Sequence, residues 1–160
     1  SLVEDNKLNL ALSLIAKAKE QNVKLLIPID SLNADNFSND AKTYFSNIGE
    51  IENGWMGLDI GDKTKQLYKK AILESKTILW NGPMGVFEMD AFSTGTEFIA
   101  NAIASATLKG SFSLVGGGDS VAAVKKFKLQ NKMSYISTGG GAMLEYLEGN
   151  ILPAIKAINN

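Results

Sequence analysis

Apolar residues along this chain follow two alternating periods. Leu8, Ala11, Leu12 and Ile15 recur at the spacing of an amphipathic helix, and VKLLIPI, Val23 to Ile29, follows as an unbroken apolar run of strand length. That run predicts a buried strand. Asp30 to Asn53 is polar, rich in Asn, Asp and Ser, with one weak helical pattern around Ala41 to Phe45. So long a connection predicts a functional excursion or an edge of the domain. Beyond it the pattern predicts a helix near Thr64 to Leu73, the strand TILW (Thr77 to Trp80) and a helix carrying Phe98, Ala102, Ile103 and Ala106. The strand Ser111 to Val115, a helix over Ser120 to Phe127 and the strand Lys132 to Ser137 continue the series. A helical turn from Ala142 to Leu147 and a short tail, ILPAIKAI, close it. Helices alternating with short strands apolar on both sides predict an α/β fold, a parallel sheet covered on both faces. Neither a repeat period nor a low-complexity linker divides the chain, so residues 1–160 read as a single domain.

Glycine is concentrated where those strands end. LVGGGDS follows one strand, STGGGA (Ser137 to Ala142) another, and WNGPMG (Trp80 to Gly85) a third, each before a helix. Carboxyl ends of parallel strands share one edge, so the three loops are expected to converge on one crevice. Consecutive glycines let backbone approach a ligand and aim N–H groups at it, and a helix N-terminus adds about half a positive charge. Each loop taken singly is also the ordinary tight turn into a helix, but three on one edge point to a phosphate or nucleotide site. Asp119 and Ser120 fit N-caps, and Asp119 also suits a magnesium ion accompanying phosphates. Glu88 is close enough to the WNGPMG turn to reach ribose hydroxyls, or is a plain surface acid. Neither standard nucleotide fingerprint fits. Gly116 to Val121 lacks the last glycine of G-x-G-x-x-G, and GLDIGDKT has the wrong spacing for a P-loop.

Composition narrows the chemistry. With no Cys and no His, the chain cannot build a Ser-His-Asp triad, a thiolate nucleophile or a His- or Cys-ligated zinc site. All 16 basic residues are Lys, so the rigid cationic fork that suits phosphoryl oxygens is missing. The net charge of -1 argues against nucleic acid, and Lys125, Lys126 and Lys128 read as a solvated helix terminus. No apolar run reaches the ~18–20 residues of a membrane span, and SLVEDNKLN does not resemble a signal peptide, so a cytoplasmic location without membrane attachment is expected.

The series GWMGLDIG (Gly54 to Gly61), ILWNGPMGVFE (Ile78 to Glu88), GGGDS (Gly116 to Ser120) and STGGGA closely resembles phosphoglycerate kinase over nearly the whole chain. LLIPID looks like the family's apolar strand with a buried Pro, and LEGNILPAI like its C-terminal helix region. The resemblance implies a Rossmann-like three-layer α/β/α domain with a mostly parallel sheet, and transfer of a phosphoryl group between 1,3-bisphosphoglycerate and ADP with magnesium. It implies that Asn81, Gly117, Gly118 and Ser120 contact nucleotide phosphates, Pro83 and Val86 line the nucleoside side, Glu88 holds the ribose, and Met56 and Leu58 wall the adenine. Asp119 would hold the metal-nucleotide, and Gly139, Gly140 and Gly141 would present N–H groups to the migrating phosphoryl. Asp62 departs from the family's usual Pro after D-I-G, which bears on the stiffness of that turn.

By the same likeness the chain covers the later part of the family's C-terminal, nucleotide-binding domain. The Arg-bearing N-terminal domain and the segment resembling G-G-A-K-V-x-D-K have no counterpart here. The expectations are an incomplete domain, ADP or ATP and phosphoglycerate as small-molecule partners, and no turnover by this chain alone. In the family's strand order Val23 to Ile29 would be cut off from Ile78 to Trp80 by a two-strand gap, leaving apolar edges that invite self-association, although the family's full-length members are expected to be monomers. A non-catalytic nucleotide-binding fragment is the alternative, and a dinucleotide-binding oxidoreductase domain a more distant one.

Overall fold

The computed structural model describes residues 1, 3–137 and 139–158. Its elements are α1 (Leu8–Glu20), β1 (Asp30–Ala34), β2 (Thr43–Asn47), β3 (Met56–Ile60), α2 (Asp62–Glu74) and β4 (Thr77–Trp80), then α3 (Thr94–Leu108), β5 (Phe112–Val115), α4 (Gly118–Lys126), β6 (Tyr135–Ile136), α5 (Gly140–Leu147) and α6 (Pro153–Ile158). The expected parallel sheet is present, in the order β4-β5-β6, with Trp80 opposite Val115 and Val115 opposite Ile136. Beside it stands a second sheet, β2-β1-β3, that is wholly antiparallel.

The main core lies between β4, β5 and the helices that follow them. Along α3, Ile99, Ala100, Ile103 and Ala106 recur on one face and are buried with Ile78, Trp80, Val115 and Val124. Each large aliphatic chain so buried contributes roughly 1.5–3 kcal/mol. A smaller cluster of Leu32, Ala34, Leu58 and Phe92 ties the antiparallel sheet to the loop after β4, with Met56 and Val86 packed against it.

Side chains from the antiparallel sheet start two helices. The Asp30 carboxylate accepts the amides of Lys63 (2.9 Å) and Thr64 (2.8 Å) at the head of α2. The Asp59 carboxylate accepts the Gly95 amide (2.7 Å) at the head of α3. Neither helix has a cap from its own N-cap residue, so a distant strand does that work.

Several expectations need correction. Val23 to Ile29 is not a strand: Leu25 is 51% exposed and Ile27 50%, and the bonds that hold the segment include Tyr68 Oη donating to Leu26 O (3.2 Å), the Ile29 amide donating to Thr64 Oγ1 (3.0 Å) and the Ile48 amide donating to Ile29 O (3.0 Å). A strand needs a partner for its N–H and C=O groups, and among the described residues β4 is an edge with no neighbour on that side. The weak helical pattern at Ala41 to Phe45 gives way to β2, where Thr43, Tyr44 and Phe45 pair with Ala34, Asn33 and Leu32. In the polar run, β1 is buried along its whole length, because Ser31 donates to Asn33 (2.7 Å) and Asn33 to Ser46 (2.8 Å). The strand at Lys132 to Ser137 shortens to β6, and the closing tail contains α6.

Candidate functional site

Three loops meet at the carboxyl edge of the parallel sheet, as the glycine pattern predicts. The Gly116 amide donates to Trp80 O (2.9 Å) and the Ser137 amide to Val115 O (2.8 Å), which carries the pairing one residue past the strands and aligns the loops. Glycine is required where they touch. A Cβ on Gly140 would come within 2.7 Å of the Gly117 amide nitrogen and 2.8 Å of its Cα, both backbone atoms that cannot step aside. Gly117 has φ +87°, and a Cβ there would collide with the Asn81 side-chain oxygen.

This close approach sets the N-termini of α4 and α5 side by side. The first intrahelical donors are Val121, to Gly117 O, and Met143, to Gly139 O, both at 3.0 Å. Among the described residues the amides of 118–120 and 140–142 therefore have no protein acceptor. Two such ends bring about one unit of positive charge to a single spot without any Arg. An anion is what that spot can hold.

Asp119 is exposed in the first turn of α4, and its carboxylate has no hydrogen-bond partner among the described residues. The reading of Asp119 and Ser120 as N-caps is corrected: Gly117 is the N-cap, and both residues stand inside the helix. Ser120 is buried and its Oγ accepts the Gly82 amide at 2.6 Å, so the hydroxyl organises the loop after β4. Gly82 O in turn accepts the Trp80 indole N–H (2.8 Å). Asn81 and Glu88 are exposed on that loop, and Pro83 and Val86 are half-buried. The Val86 amide donates to Leu58 O (2.9 Å), which joins the loop to β3, where Met56 is half-buried and Leu58 buried. Gly139 and Gly141 are exposed, whereas Thr138 of STGGGA lies outside the described residues.

Other residues hold this edge together without having been singled out in the sequence. Thr96 Oγ1 accepts the amides of Met84 (3.1 Å) and Gly85 (3.3 Å). Asp59 is 5% exposed and accepts the amides of Gly95 and Ile60 and the Thr94 hydroxyl. Burial pushes its carboxyl above the ordinary range, outweighing the two amides, the Lys65 charge and the Thr94 hydroxyl, which pull it down. An acid between Leu58 and Ile60, inside an apolar strand, was a visible signal; Thr96, inside a helical pattern, gave none. Lys126 is not the solvated terminus expected of it: its Nζ donates to Phe87 O (2.8 Å) and Asp90 Oδ1 (2.7 Å). No helix among the described residues is long and apolar enough to cross a membrane.

The model of one family, described as phosphoglycerate kinase, matches residues 1–150. The chain is 56% identical over 158 residues to the phosphoglycerate kinase of Porphyromonas gingivalis, covering 99% of this chain and 38% of that protein. It is also 56% identical over 160 residues to that of Chlorobium phaeovibrioides, covering 100% and 40%. Among solved structures, phosphoglycerate kinase from Coxiella burnetii matches with a TM-score of 0.92 at 48% identity, over 98% of this chain and 39% of that one. The chain thus spans about 40% of the length of the curated relatives it matches.

Proposed function

We propose, since the chain belongs to the phosphoglycerate kinase family, that it forms the nucleotide side of a phosphotransferase moving a phosphoryl group between 1,3-bisphosphoglycerate and ADP. The observation that carries this reading is the pair of helix N-termini held against each other by Gly117 and Gly140. Their free amides suit the phosphate chain of a nucleotide, with Asn81, Gly117 and Gly118 on one side and Gly139, Gly140 and Gly141 nearest the phosphoryl being moved. Ser120 acts through the loop, because its hydroxyl already holds the Gly82 amide. Met56, Leu58, Pro83 and Val86 give the base an apolar border, and the exposed Glu88 carboxylate accepts ribose hydroxyls.

Asp119 fits a magnesium ion. It is an exposed carboxylate beside the anion site, without a partner among the described residues, and magnesium commonly takes one or two carboxylates together with substrate phosphates and water. Bound there, the ion would neutralise charge on the nucleotide phosphates. Phosphoryl transfer depends mainly on positioning and electrostatic stabilisation. This chain brings amides and Asp119 to that task but no Arg, so it binds nucleotide without turning it over. Its partners are small molecules, and its place of action is the cytoplasm.

Amide chemical-shift mapping of the 160-residue chain with ADP and magnesium tests this reading. Shifts concentrated at residues 81–88, 117–120 and 139–141 are expected. Scattered shifts, or shifts confined to the antiparallel sheet, would overturn it.

A further inference from the structure

Helix α4 is fastened to the loop after β4 at both of its ends. At the N-terminus Ser120 Oγ accepts the Gly82 amide at 2.6 Å. At the C-terminus Lys126 Nζ donates to Phe87 O at 2.8 Å and Asp90 Oδ1 at 2.7 Å, with a longer contact of 3.4 Å to Glu88 O. Residues 82–90 are thereby strapped along the helix, and Glu88 lies between Phe87 and Asp90, which make the two shorter of the three contacts with Lys126. The Glu88 carboxylate itself has no hydrogen-bond partner among the described residues, so what holds the side chain near the site is the position of its backbone.

We infer that Lys126 is a positioning residue for Glu88: its ammonium fixes the carbonyls of residues 87 and 88 and so sets the carboxylate that meets the nucleotide ribose. The inference rests on the reading of Glu88 given above. Attraction to the helix dipole does not account for the contact, because Lys125 occupies the same last turn and among the described residues donates no side-chain hydrogen bond. A stabilising surface pair does not account for it either. Asp90 is 88% exposed, and such pairs add little to stability, whereas the two carbonyls are tied by a charged donor that water replaces only with loss of order.

The test compares ADP with 2′,3′-dideoxy-ADP, which lacks the hydroxyls Glu88 would hold, on the 160-residue chain and its Lys126→Met variant. Wild type is expected to favour ADP, and Lys126→Met to lose about tenfold in ADP affinity while binding the dideoxy analogue within about twofold of wild type. Asp90→Ala, which removes one of the anchors, should give an intermediate loss, and Lys126→Arg should restore part of the preference. Hydrogen exchange without nucleotide supplies a second readout: the Phe87 and Met89 amides, which donate to Gly85 O and Val86 O, should exchange faster in Lys126→Met. A variant that keeps the wild-type ADP preference, or loses both nucleotides equally with unchanged exchange at residues 87–89, overturns the inference. A wild type that fails to distinguish the two nucleotides overturns the ribose reading of Glu88 and the inference with it.

Discussion

Replacing Asp59 by Ala strips the acceptor from two buried amides, Gly95 at 2.7 Å and Ile60 at 2.8 Å, and from the Thr94 hydroxyl at 3.3 Å. Each buried donor left unsatisfied costs about 1–3 kcal/mol, and the Gly95 bond also caps α3. Relief of the buried charge returns part of that sum, so the net loss should be about 3 kcal/mol. Against the usual 5–15 kcal/mol of a folded domain this is a large fraction. Urea unfolding followed through the buried Trp80 should show a midpoint lower by about 1–2 M with an unchanged slope. A shift under about 0.5 M would refute the reasoning.

The pH dependence of this site carries a sign. The Asp59 carboxyl is raised above 3.8 by burial, so the folded chain keeps its proton to a higher pH than the unfolded chain. Stability from this group therefore falls as pH rises from 3.8 through the raised value. Asp59→Asn removes that slope, and the stability of wild type relative to the variant should decline across the window. A difference that stays flat would show that burial is not what perturbs the group.

Asp30 should behave in the opposite sense. Burial pushes its carboxyl up, but the Thr64 hydroxyl, the amides of Thr64 and Lys63 and the Lys63 charge together hold it below 3.8. Its contribution is present above 3.8 and lost as pH falls through the depressed value, so the deficit of Asp30→Asn should shrink in acid melts. Gly140→Ala drives a Cβ into the Gly117 backbone and should cost about 1–3 kcal/mol in chemical denaturation while also weakening ADP binding. Leu10, Leu14, Leu25 and Ile27 are all about half exposed, so sedimentation velocity should show concentration-dependent self-association. A monomer at all concentrations would contradict that.

What the sequence disclosed follows the reach of each interaction. Thr77 to Trp80 and the helix through Phe98, Ala102, Ile103 and Ala106 were legible because burial sets their period, and β4 has the expected limits. The glycine loops were legible because close backbone approach admits no other residue at positions such as Gly117 and Gly140. β1 was hidden because Ser31 and Asn33 look like loop residues until each other and Ser46 satisfy them. Val23 to Ile29 misled for the converse reason: its apolar run describes a strand, but pairing makes one, and the described residues supply no partner. Lys126 was beyond local reading, since its acceptors lie 36–39 residues earlier in the chain.

The most direct measurement is a calorimetric titration of the 160-residue chain with ADP, with and without magnesium, beside Asp119→Ala. Saturable binding that magnesium strengthens, with that strengthening lost in the variant while its melting temperature is unchanged, is the expected result. No heat at millimolar ADP, or equal magnesium dependence in the two proteins, would contradict the assignment of this glycine-rich edge as a nucleotide site built around Asp119.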